Sequence, residues 1–522
     1  MAGLVLMIIA IAMVLGLLGY SIYRLVKVVK SPTPLATNYP LEVKRQGLFA
    51  LTSGVVTSLV FIFLAIFQSY PLKAGEWIEM ILGSILFGTG LLTFVNAFVI
   101  HYYGKEVPEK TNKFLFYMVF ASVFSILIGL LLLTNSIADY IPYPLVNGIN
   151  FQEGFTTPGG VKPNLAWYAL CILSGAVLVY FICDHRMYVE YGKHGILEST
   201  FFVAFPAGII GARVGYVIGE WNHSVEGSLS FAERVANGEW WSIFAVWEGG
   251  LTVISGALIG IVVGVLWFIW RNKKYSIWIA VDVIIPCILV AQAIGRWGNF
   301  FNAEVHGYEV LKADWWILPK IVANNAAYSE AYKDFASEGH IYLPLFYVEF
   351  LSNLAGYFLI RFGVGVGLKK YRQLGDLAFS YLIWYGLTRV ILEPLRDTHY
   401  NMGSDGYWSW LWSIAFVLFG ALLIVGNHIV RFIIAINKKN THYKNFSLTG
   451  SIIATGISFI VAAALVILGA VMMTTSNQNT VFLEFNKFNN GLITLVIGLT
   501  VLLLTVPFVL YMIKGIKGRN EN

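Results

Sequence analysis

The chain has 522 residues, 57% of them apolar and only 12% charged. That composition excludes a soluble globular protein, which would be left with far too much exposed apolar surface, and implies an all-α polytopic membrane protein. The formal net charge of +6 reads as a topology signal rather than a nucleic-acid-binding surface, because the basic residues collect in loops between apolar runs.

A helix needs about 20 apolar residues to cross the hydrocarbon core. On that criterion the predicted spans fall, in chain order, near 3–23, 48–68, 77–100, 114–134, 164–183, 197–219, 250–270, 276–296, 345–363, 376–395, 408–433, 448–473 and 488–513, about thirteen in all. With the N-terminus outside and the C-terminus inside, most of the 35 Lys and Arg residues lie in cytoplasmic segments, the distribution that insertion favours. The first run has no basic segment before it and no small-residue cleavage site, and Arg24 and Lys27 follow it; it is expected to remain as an uncleaved helix. Cys171, Cys183 and Cys287 fall inside spans without metal-ligand spacing and read as buried structural thiols, not a disulfide framework or a zinc site.

The spans differ in character. Residues 1–150, with about four extra helices, and 436–522, with about two, carry ordinary lipid-compatible sequence. The polar intramembrane residues concentrate between them, which marks 151–435 as a functional core of about seven helices. Two long external loops belong to this core. Residues 220–247 contain the aromatic-rich GEWWSIFAVWEGG stretch, suited to a membrane interface. Residues 307–344 contain Pro319, predicted to open a surface helix of about five turns. Loops of this size and aromatic content are expected to be ordered covers over a site near the outer leaflet.

Polar side chains punctuate the core spans. Tyr168 stands at the outer end of one, Arg213 and Tyr216 near the outer end of the next. The stretch GRWGNFFNAEVHG, Gly295–Gly307, sets Arg296, Asn299, Asn302, Glu304 and His306 at the end of an apolar run. Further on, Tyr385, Arg389, Glu393 and Arg396 follow one another at four, four and three residues and so share one helix face. That face must look into the bundle, because a charge at mid-bilayer depth costs about 2.5–3.5 kcal/mol even on insertion scales. Arg389 is the deepest, with Glu393 as its neutralising neighbour. A single Arg–Glu pair serves equally well to fix a bundle. Three arginines (213, 296, 389) converging on one leaflet point instead to an anionic group, because a guanidinium fork matches phosphate oxygens, and the anion at hand there is a phospholipid headgroup. The Gly-rich WEGGLTVISGALIG, Trp247–Gly260, reads as a helix start packed closely through small residues.

The motif G-R-x-G-N-F-x-N-x-E-x-x-G is matched at every fixed position by Gly295–Gly307, and here the chain resembles the bacterial prolipoprotein diacylglyceryl transferase family. The resemblance runs in the same order through Trp167–Tyr168, GARVGY, WEGGL…GALIG and the Tyr385–Arg396 patch, over about residues 160–430. Two places depart from the family pattern. GGLTVISGA lacks the His or Tyr that relatives carry after the two glycines, and LPLFYVE keeps Pro344 and Glu349 but has no His, with its Tyr at 347.

The resemblance implies transfer of the diacylglyceryl group of phosphatidylglycerol to the lipobox cysteine thiol in the signal peptide of a prolipoprotein, forming a thioether and releasing glycerol phosphate. It implies catalytic roles for Arg296, Arg389, Glu304, Tyr385 and Tyr168, with Arg213, Asn299, Asn302, Gly307, Glu393 and Arg396 binding substrate. Glu304, His306 and Tyr385 are candidates to assist thiol ionisation. No cofactor or metal is implied, the bilayer is the medium, and no nucleic-acid partner is expected. The implied location is the bacterial cytoplasmic membrane, with the site facing the extracytoplasmic leaflet. Intramembrane arginines and Gly-rich helices are also compatible with a lipid or small-anion transporter or flippase, and a noncatalytic family member is a further alternative.

Overall fold

The computed structural model describes residues 58–60, 62, 72–103, 109–143, 145, 148–150, 164–222, 230–244, 252–316, 318–397, 407–437, 448–476 and 487–520. The expected spans at 3–23 and 48–68 therefore lie almost wholly outside the described residues, as does Trp247–Gly250 of the Gly-rich stretch. Eleven long helices are described: α1 (Ala74–Tyr103), α2 (Glu109–Ile137), α3 (Trp167–Tyr191), α4 (Glu198–Gly219), α5 (Val253–Arg271), α6 (Ile277–Phe301), α7 (Leu345–Phe358), α8 (Asp376–Leu392), α9 (Tyr407–Asn437), α10 (Leu448–Thr474) and α11 (Lys487–Asn520). Short surface turns are left unnumbered.

Among the described residues nine helices are long and apolar enough to cross a membrane. These are α1 to α4, α6, α7 with its π-helical continuation through Leu359–Gly367, and α9 to α11. The expected span at 250–270 appears as the shorter apolar helix α5, and that at 376–395 as α8, 17 residues long and interrupted by charge.

The chain divides into two compact units. The first comprises Met1–Leu145 with Leu311–Tyr328 and Ser337–Ile341. Within it α1 and α2 pack through glycines, since a Cβ on Gly83 would lie 2.7 Å from the Leu133 nitrogen. Lys320 Nζ is 3.3 Å from both Glu76 and Asp139, and its backbone N–H donates to Asn135 Oδ1 at 2.9 Å. The helix expected to open after Pro319 does start there, but it runs only over Lys320–Asn325. Six residues make under two turns, not about five. Its buried residues are Ile321, Val322, Ala323 and Asn325.

The second unit comprises Val146–Val310, Ser329–Ala336 and Tyr342–Asn522. A two-stranded antiparallel ribbon, β1 (Gly148–Asn150) with β2 (Asn164–Ala166), runs directly into α3 and so fixes the start of that helix at Trp167. Helix α6 is the hub, with α3, α7 and α8 packed around it. Gly175 of α3 lets α6 approach closely, a Cβ there meeting the Ala291 carbonyl at 3.1 Å. Further along the same two helices, Cys183 and Cys287, distant in sequence, join one buried apolar cluster with Met187 and Phe268. Helices α4 and α5 pack by the small-residue contact the Gly-rich sequence suggests, with Gly256 set against Gly208 and Ala212.

Helix α8 is anchored by its neighbours at its start. Buried Asp282 of α6 accepts hydrogen bonds from the backbone N–H groups of Gly375 (2.9 Å), Leu377 (3.1 Å) and Ala378 (3.2 Å). It thereby satisfies amides that a helix N-terminus leaves without partners. Asp376 in turn pairs with His428 of α9 at 2.8 Å, and Tyr511 of α11 bonds to Gln373 and to the Tyr371 carbonyl. With this end pinned to α6, the other end of α8 is set in azimuth, and Arg389 lines one pocket with Gln292 and Arg296 of α6.

Candidate active site

The site grows from the end of α6. Past Asn302 the chain turns through Ala303 (φ 49°) and Val305 (φ 63°), two non-glycine residues in the left-handed region. Such conformations cost of order 1–3 kcal/mol each and persist only where the surroundings impose them. The stitching that imposes them is visible: Glu304 N–H donates to the Asn299 carbonyl (3.0 Å), Phe346 N–H to the Val305 carbonyl (3.2 Å) and Gly307 N–H to the Leu343 carbonyl (2.8 Å). Gly307 also pairs as a β-bridge with Arg396. Only glycine fits there, because any Cβ would collide with the Leu395 carbonyl oxygen. One tight turn thus ties the end of α6 to the start of α7 and the end of α8.

At that junction lies an ion-pair network centred on Glu349 of α7, a residue 4% exposed. Its Oε2 is 2.6 Å from Arg296 Nε, and its Oε1 accepts from Arg389 Nη1 at 3.1 Å and Arg396 Nη2 at 2.8 Å. Arg389 Nη2 reaches Glu393, 1% exposed, at 2.6 Å, and Arg396 Nε lies 4.0 Å from the same carboxylate. Three guanidiniums against two carboxylates leave one positive charge in surroundings where water is scarce. Arg296 Nη2 and Arg389 Nε have no acceptor among the described residues. The arrangement is therefore a preorganised anion site with N–H groups still to give.

A polar chain leads away from it. Arg296 Nη1 donates to Asn299 Oδ1 (3.3 Å), Asn299 Nδ2 to Glu304 Oε1 (2.7 Å), and Asn302 Nδ2 to the same oxygen (3.2 Å). Tyr168 packs its ring on Gly298, where a side chain would strike it. Below the guanidiniums a pocket opens, lined by Gln292, Arg296, Glu349, Ser352, Asn353, Tyr385, Thr388, Arg389 and Leu392.

The structure thus brings Arg296, Arg389, Arg396, Glu393, Asn299, Asn302, Glu304, Tyr168, Tyr385 and Gly307 to one place. It does not bring Arg213 there by any described contact. That residue, 4% exposed, donates through Nε to the Ile243 carbonyl (3.1 Å) and through Nη2 to the Ser242 carbonyl (2.6 Å). Its guanidinium carbon sits 5.4 Å and 5.8 Å from the ring centroids of Phe231 and Tyr216. The third arginine of the cluster is Arg396, and Arg213 clasps the segment Trp240–Phe244 instead. His306 is corrected too: it is 1% exposed, packed against Tyr342 and Phe346, with both ring nitrogens buried and without partners among the described residues. Burial, only partly opposed by Asp397, pushes its pKa down to about 4, so it is neutral and walled off from any thiol. The residue that the sequence reading left without a role is Glu349. Its signal was present, because it is the only charged residue in α7 and an acid within an apolar span requires a partner.

Comparison with known proteins bears on the same residues. The prolipoprotein diacylglyceryl transferase family profile matches residues 161–426. Similar proteins named phosphatidylglycerol–prolipoprotein diacylglyceryl transferase include one from Streptococcus suis, 31% identical over 263 residues, which are 50% of this chain and 88% of that protein. One from Lactococcus lactis subsp. cremoris is 33% identical over 263 residues, with the same two shares. One from Streptococcus pyogenes is 35% identical over 236 residues, 44% of this chain and 78% of the relative. The guanidinium cluster, the glycine-dependent turn that closes it and the pocket beneath all lie inside the matched stretch, and the chain belongs to the prolipoprotein diacylglyceryl transferase family.

Proposed function

We propose that this multi-pass membrane protein transfers the diacylglyceryl group of phosphatidylglycerol to the lipobox cysteine thiol of prolipoproteins, forming a thioether and releasing glycerol phosphate. The observation that carries this reading is the Glu349-centred cluster of Arg296, Arg389 and Arg396, which offers unspent N–H groups to an anion above a polar pocket. The names of the relatives, all phosphatidylglycerol–prolipoprotein transferases, agree with it.

In the reaction the cysteine sulfur attacks the glycerol carbon that bears the phosphate oxygen. The C–S bond forms as the C–O bond breaks, and the electron pair leaves on the phosphate, where charge develops. Arg296 and Arg389, with Arg396 beside them, stabilise that charge. Glu349 and Glu393 hold the guanidiniums in place beforehand, so that they need not reorganise during the step. The thiol, with an ordinary pKa of about 8.5, gives its proton to Glu304, whose Oε1 is fixed by Asn299 and Asn302 while Oε2 has no partner among the described residues. Tyr168 and Tyr385 flank the reacting groups and orient them.

The enzyme lies in the bacterial cytoplasmic membrane, with about thirteen spans, N-terminus outside, C-terminus inside and the site toward the extracytoplasmic leaflet. The catalytic core is 151–435, flanked by helices in 1–150 and 436–522. The test is Arg389→Ala. Purified protein is given labelled phosphatidylglycerol and a lipobox peptide, and lipidated peptide and glycerol phosphate are measured. The variant is expected to insert in the membrane and to lose transfer by about 10²-fold or more; turnover at the wild-type rate refutes the assignment.

A further inference from the structure

The pocket beneath the guanidiniums has two layers. Helices α6, α7 and α8 each give its upper wall a charged side chain, Arg296, Glu349 and Arg389. Each also gives a neutral polar side chain four residues away along the same helix: Gln292, Asn353 and Tyr385. Four residues are slightly more than one turn, so each neutral group lies on the same face as its charged neighbour, displaced by about 6 Å along the axis. The displacement has one sense on all three helices. Helices α6 and α8 run toward the arginine end, so their earlier residues are deeper; α7 runs away from it, so its later residue is deeper.

The fold does not use up the hydrogen-bonding capacity of this lower layer. Asn353 is 7% exposed, and among the described residues no hydrogen bond engages its amide or the Tyr385 hydroxyl. Gln292 Nε2 donates to Tyr381 Oη at 3.0 Å, and its Oε1 is buried with no partner. A tyrosine hydroxyl both donates and accepts, so either end of the Gln292 amide satisfies that bond and the other end faces inward. Unpaired polar groups are costly in an apolar bundle, and three of them converge on this one cavity.

We propose that this lower layer is the subsite for the acyl ester carbonyls of the donor lipid, on the reading of the reaction given above. A phospholipid carries its ester carbonyls deeper than its phosphate, with the glycerol backbone as spacer, and the two pocket layers are stacked in that order. Ester carbonyls accept hydrogen bonds and donate none, which suits Asn353 Nδ2 and the Tyr385 hydroxyl, with the Gln292 amide beside them. The lower layer has no charge because its ligand has none. The consequence is positional: the glycerol carbon under attack is held from both sides, by its phosphate above and its esters below.

The test compares two donors on the full chain in lipid vesicles: phosphatidylglycerol, and its diether analogue with the same chains but no carbonyls. Both carry the same phosphate and the same reacting carbon. The wild-type protein is expected to favour the diester by about fivefold or more in kcat/KM, and Asn353→Leu to bring that ratio close to one. Because each protein is its own reference, partial misfolding lowers both donors together and leaves the ratio intact; if Asn353→Leu does not accumulate, Gln292→Leu is read in the same way. Equal use of both donors by the wild type, or an unchanged ratio in the variants, overturns the subsite while the transferase stands. A wild type that lipidates the peptide with neither donor overturns the transferase reading and the subsite with it.

Discussion

Glu349→Gln probes the centre of the site. Two carboxylate oxygens hold three guanidiniums at 2.6, 3.1 and 2.8 Å. Glutamine keeps the size and one oxygen but removes the charge and places an NH₂ donor where the second oxygen was. With its oxygen toward Arg389 and Arg396, the new donor faces Arg296 Nε across 2.6 Å; with the amide reversed, it faces two arginines. Either way at least one guanidinium loses its acceptor, and the unbalanced charge rises from one to two. Removing one partner of a buried pair costs about 3–5 kcal/mol. The side chains of Arg296, Arg389 and Arg396 retain 26%, 16% and 10% exposure, which places the loss near the lower end, about 3 kcal/mol. A displaced phosphate-binding donor lowers the rate by about 10²–10³-fold. Thermal unfolding in detergent, followed by tryptophan fluorescence, reads the first effect, and the initial rate with labelled phosphatidylglycerol and lipobox peptide reads the second. A variant with wild-type midpoint and wild-type rate would refute the role given to Glu349.

Gly307→Ala drives a methyl group into the Leu395 carbonyl and displaces the adjoining Arg396; destabilisation of about 1–3 kcal/mol is expected, with loss of transfer, measured by the same pair of assays. His306→Leu removes two buried nitrogens that have no partner among the described residues, so stability at pH 7 is expected to hold or rise. The wild type should also carry a pH dependence that this variant lacks. Its unfolded imidazole takes a proton near pH 6.5, the folded one only near 4, so stability falls as pH drops through that window, by about 3 kcal/mol in full. Equal midpoints for the two proteins from pH 7 to 4 would count against this. Arg213→Gln gives up charge-assisted bonds to the Ser242 and Ile243 carbonyls, each worth about 1.5–3 kcal/mol; faster amide exchange over residues 240–244 is expected, and unchanged exchange would show that Arg213 does not clasp that segment.

Much of the site was legible because its chemistry is local. The Tyr385–Arg396 face follows from helical spacing alone, and the pairing of Arg389 with Glu393 at 2.6 Å is the contact that spacing predicts. Gly307 is a fixed position of the signature, and the structure supplies a reason, since the Leu395 carbonyl approaches where a Cβ would lie. Arg213 misled for an equally physical reason. An arginine near the end of an apolar helix has the same appearance in sequence whether its guanidinium meets a ligand or the carbonyls of a nearby turn. The length of the helix after Pro319 was overestimated because a proline marks where a helix starts, while burial continues past its end through Ala326, Tyr328 and Ser329 and so gives no sign of where it stops.

The amino-acid order by itself determined that the chain lies in a membrane, roughly which stretches are helical, and that arginines gather near one end of the core helices, since each of these follows from hydropathy and from residues within a turn or two of one another. Only the tertiary structure decided which arginines meet. It placed Glu349 among Arg296, Arg389 and Arg396, and it stacked Gln292, Asn353 and Tyr385 one turn below them. The physical reason is that azimuth and depth between packed helices are set by distant contacts, such as Asp282 capping α8 and Gly307 seated on Leu395, which no local pattern encodes.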